Sequence, residues 1–174
     1  VTSAPDEAVV TERLRGERPR DEHADLYAEL FGDPAVAATL WPDALGGPRT
    51  PAQASALLAA DVLHWERFGY GPWAWFARDR FVARGGLERT DVGGPGGVEV
   101  LYAIRRDAWG LGYATEIALA AVQHARALGI PEVVGFTLTT NLASQLVLQK
   151  AGLRFEREVE HAGLPHWLGR LALR

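Results

Sequence analysis

The sequence predicts a mixed fold of the α/β class, α+β in type: a mainly antiparallel central sheet flanked by helices. Three observations predict it. The β-rich segments Trp73 to Ala77, Phe81 to Glu88 and Val98 to Ile104 follow one another through turns, a meander of antiparallel strands. A helical pattern from Tyr113 to Leu128 then leads to the apolar strand Val133 to Thr139, which should lie parallel to the strand before the helix. Two further strands, Leu153 to Glu160 and Trp167 to Leu173, surround Gly163-Leu164-Pro165 and complete the sheet. With 174 residues, 48% of them hydrophobic, the chain can bury one substantial core, so a single domain over 1–174 is expected.

Taken in order, residues 1–8 read as a flexible, frayed end and Val9 to Leu14 as a first edge strand. Asp21 is placed to cap a helix with Leu26, Leu30 and Phe31 on its apolar side and Gly32 at its end, followed by a short helical piece over Ala35 to Leu40. The loop Trp41-Pro42-Asp43-Ala44-Leu45-Gly46-Gly47-Pro48-Arg49 is too rich in turn residues to continue it. Thr50-Pro51-Ala52-Gln53 combines a capping hydroxyl, proline at the first helical position and a glutamine that closes a capping box. The helix it starts should run to Phe68, with Leu57, Leu58, Val62 and Trp65 toward the sheet and His64 structural or exposed. Gly69-Tyr70-Gly71-Pro72 breaks the chain before the meander, and Arg78-Asp79-Arg80 turns its first strand into its second.

The stretch from Val98 to Glu116 organises the rest. Val98 to Ile104 is rich in β-branched and aromatic residues, with Glu99 its one acidic member, and a glycine loop from Gly93 to Gly97 precedes it. The helix that follows carries Ala114, Ile117, Ala118, Ala121, Ala125 and Leu128 on one face and stops at Gly129 and Pro131. Between strand and helix, Gly110 and Gly112 let the backbone approach a ligand with no Cβ in the way. Free N–H groups at the helix start favour a pyrophosphate, and Arg105 and Arg106 are placed to hold a further phosphate. From the turn alone, a phosphate site and a solvated glycine turn stand as even alternatives. A dinucleotide fingerprint fails on context. Its third glycine is Thr115, five residues separate the strand from the first glycine, and Glu132 precedes the next strand where a ribose-binding acid should follow it.

Trp109-Gly110-Leu111-Gly112-Tyr113-Ala114-Thr115-Glu116 resembles the W-G-x-G-Y-A-T-E motif of the GNAT acetyltransferase superfamily, in the branch of the ribosomal-protein-alanine N-acetyltransferases. Asn141-Leu142-Ala143-Ser144 and Gln149-Lys150-Ala151-Gly152-Leu153 are similar to that branch's N-x-A-S and E-K-x-G-F, and the likeness extends from Thr11-Glu12-Arg13-Leu14 to the C-terminus. The resemblance implies two parallel strands splayed apart at an acetyl-CoA site. Tyr102 and Ile104 would bond the pantetheine arm through their backbone, and Gly110, Leu111, Gly112, Tyr113, Ala114 and Thr115 would hold the pyrophosphate. Asn141 would bond the same arm while capping a helix from Ala143 to Ala151. Two positions depart from the pattern: Asp107 replaces the superfamily's usual Gln or Arg, and Leu148 stands where many members carry a tyrosine that protonates the leaving thiolate.

The implied activity is acetyl transfer from acetyl-CoA to a primary amine, on a protein N-terminus or a small molecule, by direct attack in a ternary complex. A non-catalytic acyl-CoA-binding module is the alternative that Leu148 keeps open. The transfer needs a neutral nucleophile, a polarised carbonyl and a proton for the thiolate. Tyr102 N–H is the candidate for the carbonyl and Ser144 for the proton. Glu99 is the candidate base, since a carboxylate on an apolar strand should have a raised pKa; Glu88 and Glu160 lie on strands that also reach toward the cleft. The acceptor is expected against the segment from Trp65 to Trp73 and the turn near His166, with Tyr70, Trp73 and His166 as contacts and Glu99 at the floor.

Composition sets the remaining expectations. The absence of cysteine removes disulfides, thiolate metal sites and a cysteine nucleophile, so thioester chemistry has to come from a cosubstrate. A net charge of -4 with scattered arginines argues against a nucleic-acid partner and suits a cationic amine. The N-terminus lacks the regions of a secretory signal and no apolar run reaches membrane-spanning length, so a soluble cytoplasmic protein without a membrane partner is expected, as a monomer or homodimer. His161 and His166 flank the last turn without acidic ligands at fixed spacing, which reads as surface histidine and no metal.

Overall fold

A computed structural model describes residues 8–174. The expected frayed end therefore lies outside the described residues, except for Ala8. The chain begins with strands β1 (Val9–Val10) and β2 (Arg15–Glu17), then helices α1 (Ala24–Gly32), α2 (Pro34–Leu40) and α3 (Pro51–Phe68). The meander β3 (Pro72–Ala77), β4 (Arg80–Thr90) and β5 (Gly97–Ile104) leads to α4 (Tyr113–Ala127). Strand β6 (Glu132–Leu138), helix α5 (Leu142–Lys150) and the hairpin β7 (Arg154–His161) and β8 (Leu164–Ala172) complete it. The eight strands of the described residues join one sheet in the order β1-β2-β3-β4-β5-β6-β8-β7, antiparallel except between β5 and β6.

Local chemistry explains most boundaries. Thr50 Oγ1 accepts from Gln53 N–H (3.3 Å) while Gln53 Oε1 accepts from Thr50 N–H (2.9 Å), so the predicted capping box starts α3. Asp33 caps α2, its Oδ1 accepting from Ala35 N–H at 2.7 Å. Two expectations are corrected at the N-terminal end. Val9 to Leu14 is not one strand, because Thr11 folds it: Thr11 N–H donates to Leu14 C=O (2.9 Å) and Leu14 N–H to Thr11 Oγ1 (3.2 Å), making a tight hairpin of β1 and β2. Asp21 caps nothing; Asp21–His23 form a 3-10 turn stabilised by Arg20 N–H donating to His23 Nδ1 (3.2 Å), and α1 starts after it.

Strand alternation gives the sheet two distinct faces. On β5, Val98, Val100, Tyr102 and Ile104 point to the face covered by α4 and α5. Glu99, Leu101 and Ala103 consequently point to the other face, where Ala103 packs with α1, α2 and α3. On the first face, Ile117, Ala118 and Ala121 of α4 are fully buried, and the small alanines let the helix lie close over the strands. Burying a side chain such as Ile117 or Leu87 stabilises the fold by about 1.5–3 kcal/mol each. Among the described residues no helix is long and apolar enough to cross a membrane.

Candidate active site

The site starts at the turn before α4. Gly110 and Gly112 have φ of 75° and 80°, a left-handed conformation that costs glycine nothing and other residues about 1–2 kcal/mol. The first intrahelical bond of α4 runs from Glu116 N–H to Gly112 C=O (3.2 Å), so the N–H groups from Gly112 to Thr115 have no partner within the helix. They form the positive end of a 15-residue helix. A clasp from the N-terminal hairpin holds this turn in place. Thr11 Oγ1 donates to Glu116 Oε1 (2.6 Å), Arg13 Nε to Glu116 Oε2 (2.8 Å), and Arg13 Nη1 to Leu111 C=O (2.7 Å). These hydrogen bonds, above all the one from Thr11, hold the Glu116 carboxyl below its usual range against its partial burial.

Beside the turn, β5 and β6 part. Between them Glu99 and Val134 are the paired position. Arg105 N–H donates to Val82 C=O (2.8 Å), so the antiparallel alternation turns the odd-numbered amides of β5 toward β4. The N–H and C=O groups of Tyr102 and Ile104 therefore point the other way, into the opening beyond the paired position. Trp109 Nε1 donates to Ile104 C=O at 2.9 Å, closing the end near the glycine turn. Asn141 sits across the opening and caps α5, its Oδ1 accepting from Ser144 N–H (3.1 Å) while its Nδ2 donates to Thr39 C=O (3.4 Å) at the end of α2.

A cavity of about 860 Å³ runs from the glycine turn through this opening to the α1–α3 face. Its lining brings together Glu99, Tyr102, Ile104, Gly110, Gly112, Tyr113, Ala114, Thr115, Asn141, Ser144 and His166 from the expected set. On the α5 side, the Tyr102 phenol lies 2.9 Å from Ser144 Oγ and 3.0 Å from the Ser144 carbonyl. The phenol has one proton; when it donates to the carbonyl, it accepts from Ser144 Oγ. Burial raises the Tyr102 pKa, so the phenol keeps its proton throughout the neutral range.

On the opposite face Glu99 stands directly across from Glu88 of β4. Burial, then the like charge of Glu88, push the Glu99 carboxyl well above the usual range, with Arg84 opposing the rise. Arg84 divides between two carboxylates: its Nε and Nη2 grip Asp61 of α3 at 2.9 and 2.5 Å, Nη2 also reaches Glu88 at 3.4 Å, and Asp61 also accepts from the Tyr27 phenol at 2.8 Å. Asp61 is 1% exposed, so the pair is a buried one that packing alone would not favour.

Four expected contacts lie elsewhere. The Arg105 guanidinium turns out of the cavity to Glu29 (2.6 Å) and Asp107 (3.4 Å). The Leu111 side chain is 50% exposed outside it, and its carbonyl is taken by Arg13. Tyr70 and Trp73 belong to the core: the alternation of β3 sends Trp73 under α4 with Trp75 and Ile117, and Tyr70, in the turn before β3, packs with Phe68 and Leu87. The end of the cavity at Glu99 is lined by Phe31, Trp41, Leu45 and Arg49 of the α1–α3 segment and by Phe136, and the expected stretch from Trp65 to Trp73 does not line it. His166 lines the cavity but is no surface histidine. It is 5% exposed, and its Nδ1, 2.9 Å from Leu164 C=O, must carry the proton, since a carbonyl only accepts. Glu160 is exposed on β7, away from the cavity lining. His64 is structural: Nε2 accepts from Arg89 N–H (3.0 Å) and Nδ1 donates to Tyr70 C=O (2.8 Å). Among the described residues no group of three or more metal-ligating side chains converges.

Comparison supplies the family. Residues 13–154 match the acetyltransferase (GNAT) domain, and the chain belongs to that family. A curated relative, the FsC-acetyl coenzyme A-N(2)-transacetylase of Aspergillus fumigatus, is 33% identical over 153 residues, which cover 76% of this chain. The chain spans 58% of that relative's length. Among solved structures, a GNAT-family acetyltransferase from Bacillus anthracis superposes with a TM-score of 0.78 at 14% identity, covering 96% of this chain and 99% of that one. RimL, a ribosomal alpha-N-protein acetyltransferase in complex with coenzyme A, superposes with a TM-score of 0.76 at 16% identity, covering 95% and 97%. At these identities the two structures speak for the fold.

Proposed function

We propose that the chain transfers the acetyl group of acetyl-CoA to a primary amine, on a protein N-terminus or a small molecule, by direct attack within a ternary complex. The observation that carries this reading is the continuity of one cavity from the free amides of α4, through the opened strands, to Glu99. The amides from Gly112 to Thr115 hold the pyrophosphate, and the outward-facing groups of Tyr102 and Ile104 hold the pantetheine arm with Asn141. Tyr102 N–H polarises the thioester carbonyl as charge develops on its oxygen.

Glu99 and Tyr102 are three residues apart on β5, so the pleat sends their side chains to opposite faces. The base and the acid then reach the reacting thioester from opposite sides of the opened sheet. The neutral amine nitrogen bonds the carbonyl carbon, Glu99 takes the proton that this nitrogen sheds as the adduct forms, and the carbon–sulfur bond breaks. The thiolate takes one proton from the hydrogen-bonded Ser144–Tyr102 pair, which regains it from solvent, and the pair supplies the hydroxyl that Leu148 lacks. The reading is tested by titrating acetyl-CoA calorimetrically and following free thiol release with an amine panel. Binding without amine-dependent thiol release would leave only a CoA-binding module.

A further inference from the structure

Arg49 ends the loop between α2 and α3, anchored by its N–H donating to Phe31 C=O at 2.9 Å. Its guanidinium lies 4.0 Å over the Trp41 ring, which in turn packs 5.4 Å from Phe31. Nη1 donates to the carbonyls of Leu45 (3.3 Å) and Gly47 (3.4 Å). These contacts fix the plane of the group, and among the described residues Nε and Nη2 have no acceptor and no carboxylate forms an ion pair with it. An arginine held in this way is prepared for a planar anion.

Its position gives that anion a role. Arg49 lines the same cavity as Glu88 and Glu99, and Trp41 beneath it packs with the cluster that covers the Glu99 face of the sheet. Arg84, the other arginine of the lining, is engaged with Asp61 and Glu88. The acceptor end is thus dipolar, with carboxylates on the strands and a preset guanidinium on the loop over them. A simple alkylamine would answer the carboxylates and leave the guanidinium to water.

We propose that Arg49 anchors the acceptor through a carboxylate set several bonds from the reacting amine, so that the acceptor class is amino-acid-like with its anion at the far end. This rests on the acetyl-transfer reading above. The probes are ω-amino carboxylates of increasing length, each paired with the alkylamine of equal length. At one length the amino carboxylate should exceed its amine by roughly ten- to hundred-fold in kcat/KM, the range of a charge-assisted hydrogen bond. Arg49→Gln should bring that ratio to about one, and Arg49→Lys should restore only part, lacking the fork. A parent enzyme with no preferred length, or a preference that survives Arg49→Gln, overturns the assignment.

A second measurement is independent of turnover. Calorimetry of the preferred ω-amino carboxylate with CoA-saturated protein should give binding that Arg49→Gln removes while the variant's melting curve stays cooperative. No binding to the parent sinks the proposal even if no amine is turned over. If Arg49→Gln instead weakens acetyl-CoA, the guanidinium serves the donor and the proposal is wrong. If the parent fails to bind acetyl-CoA at all, it is the function reading that falls.

Discussion

At the glycine turn, the groups offered to the cavity are main-chain amides, from Gly112 to Thr115 and at Tyr102 and Ile104. On the Glu99 face they are side chains: Glu88, Glu99, His166 and Arg49, each supplied by a different element. The backbone end demands only that the chain turn and open in a certain way, so it accepts many side chains and depends on two glycines. The side-chain end depends on residue identity and on which face of a strand each residue occupies. One end is therefore suited to a ligand held through its phosphates, and the other to a ligand selected by the identity of the side chains around it.

The largest effect should come from Gly112→Asp, which places a Cβ and a negative charge at the free amides, at a φ of 80° and 3.3 Å from Arg13 Nη2. Acetyl-CoA binding should be lost in calorimetry. Unchanged affinity would move the donor site away from the turn and dissolve the contrast between the two ends.

Glu99→Gln should leave acetyl-CoA affinity in place and lower turnover by about 10²–10⁴-fold, the usual weight of a general base. In the parent, turnover should rise with pH up to the elevated pKa of Glu99, since only the carboxylate accepts a proton; in the variant that rise should vanish. Stability has the opposite sign. The folded state retains a proton that the unfolded chain releases, so stability is complete below the unfolded pKa and is lost as pH rises through the folded one. Thermal melts should show Glu99→Gln gaining over the parent at about pH 8 and hardly at all at about pH 4. A pH profile identical to the parent's would remove Glu99 from the chemistry.

Ser144→Ala and Tyr102→Phe should each lower turnover on the order of tenfold or more, with acetyl-CoA affinity nearly unchanged. Because the two hydroxyls are 2.9 Å apart, the double variant should lose little beyond either single one. Fully additive losses would mean two separate proton routes. The smallest effect belongs to Arg13→Ala. Its side chain is 45% exposed, so cutting the clasp should weaken acetyl-CoA by only a few-fold, in line with roughly 1 kcal/mol or less for such pairs.

What could be read in the chain followed the same division. The capping box at Thr50, the three-strand meander and the glycine turn are local, each encoded within a few neighbouring residues, and all stand as expected. β2 escaped notice because Arg15-Gly16-Glu17 has no apolar alternation and becomes a strand only by pairing with β3. Asp61 was hidden for another reason: an aspartate on an amphipathic helix reads as solvent-facing until Arg84, twenty-three positions on, is seen to meet it. Tyr70 and Trp73 were assigned to the acceptor from chain proximity to the cleft, but proximity does not decide a face; the pleat does. The Tyr102 phenol was overlooked in favour of its amide, as its partnership with Ser144 spans 42 positions. For Arg13 and Glu116 the likeness in the motif flagged the residues without revealing that they grip each other.

That grip joins Thr11 to a carboxylate 105 positions later, one of the longest loops the chain has to close. The meander and α4 can form from near neighbours, but the donor turn is locked only when the beginning of the chain returns to its middle. Assembly of the turn should therefore come late, and its opening should be among the first excursions of the native state. Hydrogen exchange would register this as faster exchange at residues 110–115 than along the rest of α4, with acetyl-CoA slowing the former and leaving the latter alone.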